Sequence, residues 1–576
     1  MEKNKIYTLS NFKGLNVSTY PTQIDDNESP DMCNFELDVR GTLRKRYGYE
    51  KLFDSLGDTP INGMYVYTNK DMVSVEIFAH NNKLYKLEGN KAIELYVGLA
   101  DNKVKFFTMK NKCYIMDGKN YLEFDGKEVK EPTPYIPEMF RNGTALEDFN
   151  LLGTRFKSTF SPDGTEKEFT LGVKPLNDEE VKVSHNGGID WKTTGFTVDK
   201  EEGKVTFTEP PANGEGTLVI EAGTDNKDKK KFITNCTIRS FFGGTNDTRA
   251  LLSGNPEFPN RVYRTGLYDP TYFPENGYTD VGSDTERVMN FAKQYDSLVV
   301  IKERSLYLMA YDTSNLVFTT KPINEQSGTC AGSSVQVVNN APVWLDRYKG
   351  IVALKQSNIR DERNIEVISE KINPLLLKEP DIENAISLDY LNKYYLFING
   401  KAYIYDSDRK IWYLFDNINA NCFLIKDTLY FGDMKGCIQR FKNEKDKYPY
   451  NDNGEPINAY WYSKLLNFGV DYREKTVRKM YYSILPYEKS SITLSIISNA
   501  DKEKVAAYER VDLQNYEPFY YEPFSYISNS FPLSDGIKSK LKKIVYMQVK
   551  IENNRVDESL DLISLSFDVL LARFRK

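Results

Sequence analysis

The chain has 576 residues, 40% of them apolar and 13% aromatic, with 40 Tyr and 32 Phe. It is too long for one core and divides into about three or four domains, each able to bury a substantial interior. Its 76 basic and 82 acidic residues leave a net charge of -6, which excludes the global basic field of a protein that grips nucleic acid by its phosphates.

The opening "MEKNKIYTLSNFKGLNV" holds no apolar run long enough for a signal peptide, and no later window approaches the roughly 18 uninterrupted apolar residues of a membrane span. A soluble protein made in a cytoplasm, with no membrane anchor, is expected. Residues 1–54 read as an extended arm and a first strand. Within them "DDNESPDMCNFELDVRGTLRKRYG" (25–48) sorts its charges: Asp25, Asp26, Glu28 and Asp31 lead an acidic block, and Arg40, Arg44, Lys45 and Arg46 crowd round Gly41. Pro30 suits an extended arm, Met32, Phe35 and Leu37 can anchor it, and Gly41 allows a sharp reversal before "TLRKRYGY" enters the fold as a strand. Acid and base blocks on opposite sides of a turn suit head-to-tail contact between subunits, which makes these eight charged residues candidate assembly residues. On that reading, reversing Arg44, Lys45 and Arg46 to Glu breaks assembly and spares the folded monomer. The alternative is a solvated loop.

From about residue 55 a short phrase recurs, a polar turn followed by a small or apolar residue, Tyr and further apolar residues. It appears as "NNKLYKL" (81–87), "KNKCYIM" (110–116), "KERSLYLM" (302–309), "NGKAYIY" (399–405) and "KDTLYFG" (426–432). Most copies follow an apolar run, so each unit reads as a hairpin, and "NG" and "DG" pairs supply the positive φ of tight turns. Hairpins recurring every few tens of residues predict radially repeated small antiparallel sheets, a β-propeller over 55–150 and 230–447. Helices are expected only in "ERNIEVISEKINPLLLKEP" (362–380) and in short pieces around "DTERVMNFAKQ" (284–294).

Residues 151–229 interrupt the repeat. Four or five strands with their own turns, from "KEFTL" to "GTLVIEAG", predict a small inserted β-sandwich. After residue 448 the long strands "RKMYYSILPY", "SITLSIIS", "KIVYMQVKI" and "DLISLSFDVLLARF" predict a C-terminal β domain over 448–576. The fold class is thus mainly β.

Catalytic chemistry finds little footing. His80 and His185, the only histidines, each sit alone in a strand-turn context, and no HExxH, GxSxG, Walker or GxGxxG pattern has its proper setting. Cys33, Cys113, Cys236, Cys330, Cys422 and Cys437 form no CxxC pair, so neither a zinc site nor a disulfide framework is indicated. "SHNGGIDW" (184–191) fits the Asp-box turn that sialidase propellers repeat, but it occurs once and in the insertion, where a hairpin turn with Trp191 in a small core explains it. Asp406, Asp408, Asp433, Asp452 and Glu455 lie in ordinary turn compositions, although such carboxylates could form a glycosidase pair or a calcium loop. No catalytic, metal-binding or cofactor-binding residue is assigned, and no enzyme is expected.

"FKGLNVSTYPTQIDDNESPDMCNFELDVRGTLRKRYGYEKL" (12–52) resembles the N-terminal signature of bacteriophage tail proteins of the nozzle (tail tubular protein B-like) or tail-hub, packaged-DNA stabilisation type. "DSLVVIKERSLYLMA" (296–310), "GTCAGSSVQVVNNAPVWLDRYKGIVAL" (328–354), "YFGDMKGCIQRF" (430–441) and "KLLNFGVDYREKTVRKMYYSI" (464–484) look like later strands of the same family. The resemblance implies a structural virion protein of the tail. It implies a homo-oligomer, a hexameric ring, that joins portal and adaptor to the distal tail and passes double-stranded DNA during ejection. Two other readings compete with it: a propeller that binds host glycan as a receptor-binding protein, and a propeller glycosidase.

Overall fold

The computed structural model describes residues 4–226, 228–243, 246–356, 363–485, 490–498, 505–512, 520–521, 524–525 and 532–574. Half of the chain is strand and 3% is helix, and most of the strands form small antiparallel sheets. Chain contacts divide it into two units, residues 61–329 and residues 1–60 together with 330–576.

Residues 61–329 carry four consecutive four-stranded meanders, spanning 61–97, 105–130, 238–280 and 288–324. Period-2 alternation lets each sheet feed two cores at once. Phe106 packs with Ile77 and Leu84 of the first meander, whereas its neighbour Phe107 packs with Leu252 and Tyr263 of the third. Leu251, adjacent to Leu252, turns the other way and meets Leu298 and Val300 of the fourth. Successive sheets therefore stack face to face.

The inserted module has a five-stranded and a three-stranded sheet, closed over Phe156, Phe169, Leu171, Val183, Val205 and Ile220. It begins earlier than the expected border at 151. Glu138–Arg141 belongs to it, pairing in parallel with Arg155–Phe160, while Leu151 and Leu152 pack into the core between the second and third meanders. The chain thus enters the module, returns to the meanders and enters again.

Residues 1–60 and 330–576 form the other unit. Three more meanders cover 336–367, 386–415 and 420–441, and the last of these has only three strands of its own. Tyr49–Lys51 supplies the fourth, running antiparallel to Ile438–Phe441. Beyond the meanders lie two larger sheets. In one, Asp561–Phe574 is flanked by Arg473–Leu485 on one side and by Leu43–Lys45 and Asn4–Leu9 on the other. In the second, Met32–Cys33 pairs with Ala459–Tyr462. The C-terminal β domain is therefore not built from 448–576 alone, because the N-terminal arm contributes four of its strands (with Phe35–Leu37). Met32, Phe35 and Leu43 share one continuous core with Trp461, Tyr482 and Phe567, and that core runs on to Trp412 and Tyr403 of the meander at 386–415. No break in packing falls at 447/448. The contact boundary at 329/330 instead lies inside the stretch expected as a single block from 230 to 447.

Two stretches expected as helical are strands. Val288–Gln294 opens the fourth meander, and Arg363–Val367 pairs with Gly350–Gln356, leaving one helical turn at Asn373–Leu376. In each case an apolar pattern that crosses a strand-turn junction imitates the helical period. Backbone pairing with the adjacent strand decides the outcome.

Candidate functional site

The charge-sorted segment is fastened by strand pairing, ion pairs and buried hydrogen bonds. Phe35–Leu37 and Leu43–Lys45 pair as a short hairpin whose turn has Gly41 at φ +85°, the left-handed region that glycine enters without a Cβ clash. Alternation places Leu43 and Lys45 on one face, and that face is interior.

Lys45 is completely buried. Its ammonium donates to Asn553 Oδ1 at 2.7 Å and to the carbonyl oxygens of Arg555 and Glu558 at 3.1 and 3.2 Å. Burial, with the Arg46 charge beside it, pushes its pKa down to about 7.

Arg46 is equally enclosed. Its guanidinium forks onto Asp452, NH1 to Oδ1 at 2.9 Å and NH2 to Oδ2 at 2.7 Å, and its remaining donors reach Asn34 Oδ1 and the carbonyl oxygens of Tyr47 and Asp416. Asn34 in turn donates to Asp416 Oδ1 at 2.6 Å and to the Asn458 carbonyl at 2.8 Å. All of the Arg46 donors are thus engaged, the condition under which a buried charge is tolerated. One hub joins the arm, the meander at 386–415 and the hairpin at 451–456.

The other predicted residues are placed as follows. Arg44 pairs with the buried Asp561 at 2.9 Å and with Asp38 at 3.5 Å. Glu28 is buried and accepts from Lys371 Nζ and Asn16 Nδ2, both at 2.7 Å. Asp26 accepts from Tyr7 and Lys464. Burial opposes its ionisation, but these two donors hold its carboxyl below the usual range. Asp25 pairs with Lys13 at 2.6 Å at the surface, where that contact lowers its pKa. Asp31 and Arg40 are exposed.

This places much of both blocks inside one chain, where the expectation set them face to face across subunits. Glu28, Arg44, Lys45 and Arg46 spend their charge on partners within the same chain, and three of them, Glu28, Lys45 and Arg46, are buried. Asp25, Asp26, Asp31 and Arg40 are the members of the set that remain exposed. Sequence reasoning had set Asp452 among ordinary turn carboxylates and had missed Asn34, Asp416 and Asn553. One signal was present: in a strand, Lys45 must share the face of Leu43.

Several of the remaining candidates are held by local contacts. Asp433 accepts from the amides of Lys435 and Cys437, and Asp406 from those of Asp408 and Arg409, as turn carboxylates do. In the Asp-box-like turn, Ser184 Oγ accepts from Gly188 N at 2.9 Å and Asn186 Oδ1 from Asp190 N at 2.9 Å. Trp191 is half-buried under the Lys157 ammonium, 5.8 Å from the ring centroid, and does not enter the module's core. Burial, with the nearby Lys192 charge, lowers the His185 pKa. Among the described residues no group of three or more His, Cys, Asp or Glu side chains is arranged to hold a metal ion, and no helix is long and apolar enough to cross a membrane. No protein-family model matches the chain, and no curated protein sequence matches it.

Proposed function

We propose that the chain is a structural subunit of a bacteriophage tail, of the nozzle or hub type, forming part of the DNA-ejection channel between portal and adaptor and the distal tail. On this reading the seven meanders are the blades of one propeller, and subunits assemble as a hexameric ring in the virion. The observation that carries it is the composite last sheet, in which Tyr49–Lys51 completes a meander about 390 residues downstream. In a propeller, a strand of this kind would close the circular repeat by joining its two ends. The arm that delivers it is the segment whose residues resemble the tail family, and the buried hub of Arg46 and Lys45 holds that arm in place. A net charge of -6 suits a lumen through which a polyanion slides without being gripped.

Negative-stain micrographs of the purified protein, alone and mixed with neighbouring tail components, test the proposal. Six-fold rings with an open lumen are the expected result. A chain that stays monomeric under both conditions and is absent from purified virions would overturn it.

A further inference from the structure

The unit formed by residues 1–60 and 330–576 holds a hollow of about 490 Å³ beside the turn of the arm hairpin. Four cationic residues line it, Lys13, Lys371, Arg409 and Lys410, and the buried Phe12, Leu37 and Ile411 give it an apolar wall. Among the described residues no Asp or Glu lines it. In a chain whose net charge is -6, this is a local reversal of sign.

The acids nearby do not cancel these charges. Asp25 accepts from Lys13 at 2.6 Å and Glu28 from Lys371 at 2.7 Å. Asp38 is engaged by Arg44 and by the amides of Arg40 and Thr42, and Asp406 by the amides of Asp408 and Arg409. Asp408 is exposed and does not line the hollow. Among the described residues Arg409 is left without an ion pair, and the Lys410 ammonium without a hydrogen-bond or ion-pair partner.

Backbone bonds fix the walls against one another. Leu15 N donates to Trp412 O at 2.7 Å, Val17 N to Lys371 O at 2.8 Å and Lys13 N to Asn27 O at 2.8 Å. Arg409 adds a clamp onto the arm, NH1 to Leu37 O at 3.3 Å and NH2 to Asp38 O at 2.6 Å. The cations are therefore held close by the fold, and the charge of Lys371 acts on Asp25 as well as that of Lys13. Like charges gathered in this way are pre-organised for an anion, because folding has already met the cost of bringing them together.

We propose that this hollow binds a small phosphate ester, with the phosphoryl group among the cations and the organic part against the apolar wall. Three observations select that ligand. Three of the four cations are lysines, which hold phosphate as point charges, whereas a carboxylate is best matched by a free guanidinium fork. The two terminal nitrogens of Arg409 already donate to backbone carbonyls, so that edge of its fork is taken. The volume falls in the range of small-molecule sites and is more than a lone phosphate fills, which calls for an ester. A nucleic-acid backbone, by contrast, is tracked by a stripe of cations along a surface, and these converge on one hollow.

The test is titration calorimetry of the full chain with thymidine monophosphate, citrate and a short DNA duplex. The monophosphate should bind best of the three, and less tightly as salt rises. Lys410→Asn removes an ammonium that has no partner in the chain, and Asn accepts the left-handed φ of +58° at that position, so the melting temperature stays the same or rises. Its affinity for the monophosphate should fall about ten-fold. Lys13→Gln, which can still donate to Asp25, should lower it similarly. Lys119→Asn, an exposed lysine in residues 61–329, should bind as the unaltered chain does. The proposal is overturned if the unaltered chain binds no monophosphate, if Lys410→Asn and Lys13→Gln bind it as tightly, or if Lys119→Asn weakens it equally. Preference for the duplex or for citrate also overturns it, since the cations then serve a DNA backbone or a carboxylate-bearing partner.

Discussion

Arg46 and Asp452, 406 positions apart, form a two-pronged ion pair whose side chains are 1% and 2% exposed. It fastens the N-terminal arm to the hairpin beyond the last meander. Removing one member leaves an uncompensated charge inside the fold, so Asp452→Asn and Arg46→Met should each cost about 3–5 kcal/mol. Arg46→Met/Asp452→Leu should recover much of that loss, because apolar groups of similar volume incur no desolvation penalty. Denaturant melts of the four proteins measure the coupling. Reversal of Arg44, Lys45 and Arg46 to Glu should unfold the chain, and a variant that folds normally while failing to assemble would restore the intersubunit reading.

Strand identity was readable wherever turn and alternation agreed. "NNKLYKL" became Lys83–Glu88, "KNKCYIM" Lys112–Met116 and "NGKAYIY" Lys401–Asp406, because Asn and Gly at the turns fix the register and the apolar residues fix the face. Partnership was not readable. Nothing near Leu43 states that it pairs with Leu562, since β pairing over five hundred residues leaves no local trace. The charge-sorted arm misled for a related reason. Sorted charge usually marks a surface, but Arg46 meets its acid from the far end of the chain, and only the fold brings the two together.

Lys45 gives the stability a definite pH dependence. Its pKa is about 7 in the folded chain and about 10.4 when unfolded, so between these values the unfolded state binds more protons and stability rises with pH. The slope it contributes is at most about 1.4 kcal/mol per pH unit. Lys302, Lys442 and Lys475, also capped by backbone carbonyls, have pKa values lowered by burial and act in the same direction. Burial of Cys33, Cys113 and Cys236 acts oppositely. Their raised pKa values keep protons on the folded state that unfolded thiols release above about pH 8.5, so their own contribution to stability falls there. Arg46, Glu558, Asp452 and Asp557 are the charged groups whose fields act on Lys45. Melting temperatures from pH 6.5 to 8.5 should climb for the unaltered chain and less steeply for Lys45→Met. Parallel profiles for the two would show that the buried ammonium stays protonated throughout.

Two glycines separate the arm's fastening from its turn. A Cβ on Gly48 would stand 1.8 Å from the carbonyl oxygen of Asn451, a contact with backbone that no rotamer change relieves. Gly48 N also donates to Pro449 O at 2.7 Å and its carbonyl accepts from Lys442 N at 2.9 Å, so the backbone cannot retreat without breaking both bonds. Gly48→Ala should therefore push Tyr49–Lys51 away from the hairpin at 451–456 and open the composite sheet, with a loss of about 1–3 kcal/mol or more, as overpacking costs elsewhere. Gly41 is the contrast. Its Cβ would meet nothing within 4 Å, and its φ of +85° is the sole objection, so Gly41→Ala should cost only about 1 kcal/mol. Thermal melts with limited proteolysis distinguish the two, because Gly48→Ala should also expose residues 47–52 to cleavage while Gly41→Ala leaves them protected. If Gly48→Ala proves as mild as Gly41→Ala and stays resistant, Tyr49–Lys51 is not held tightly against the last meander, and the closure on which the ring proposal rests loses its support.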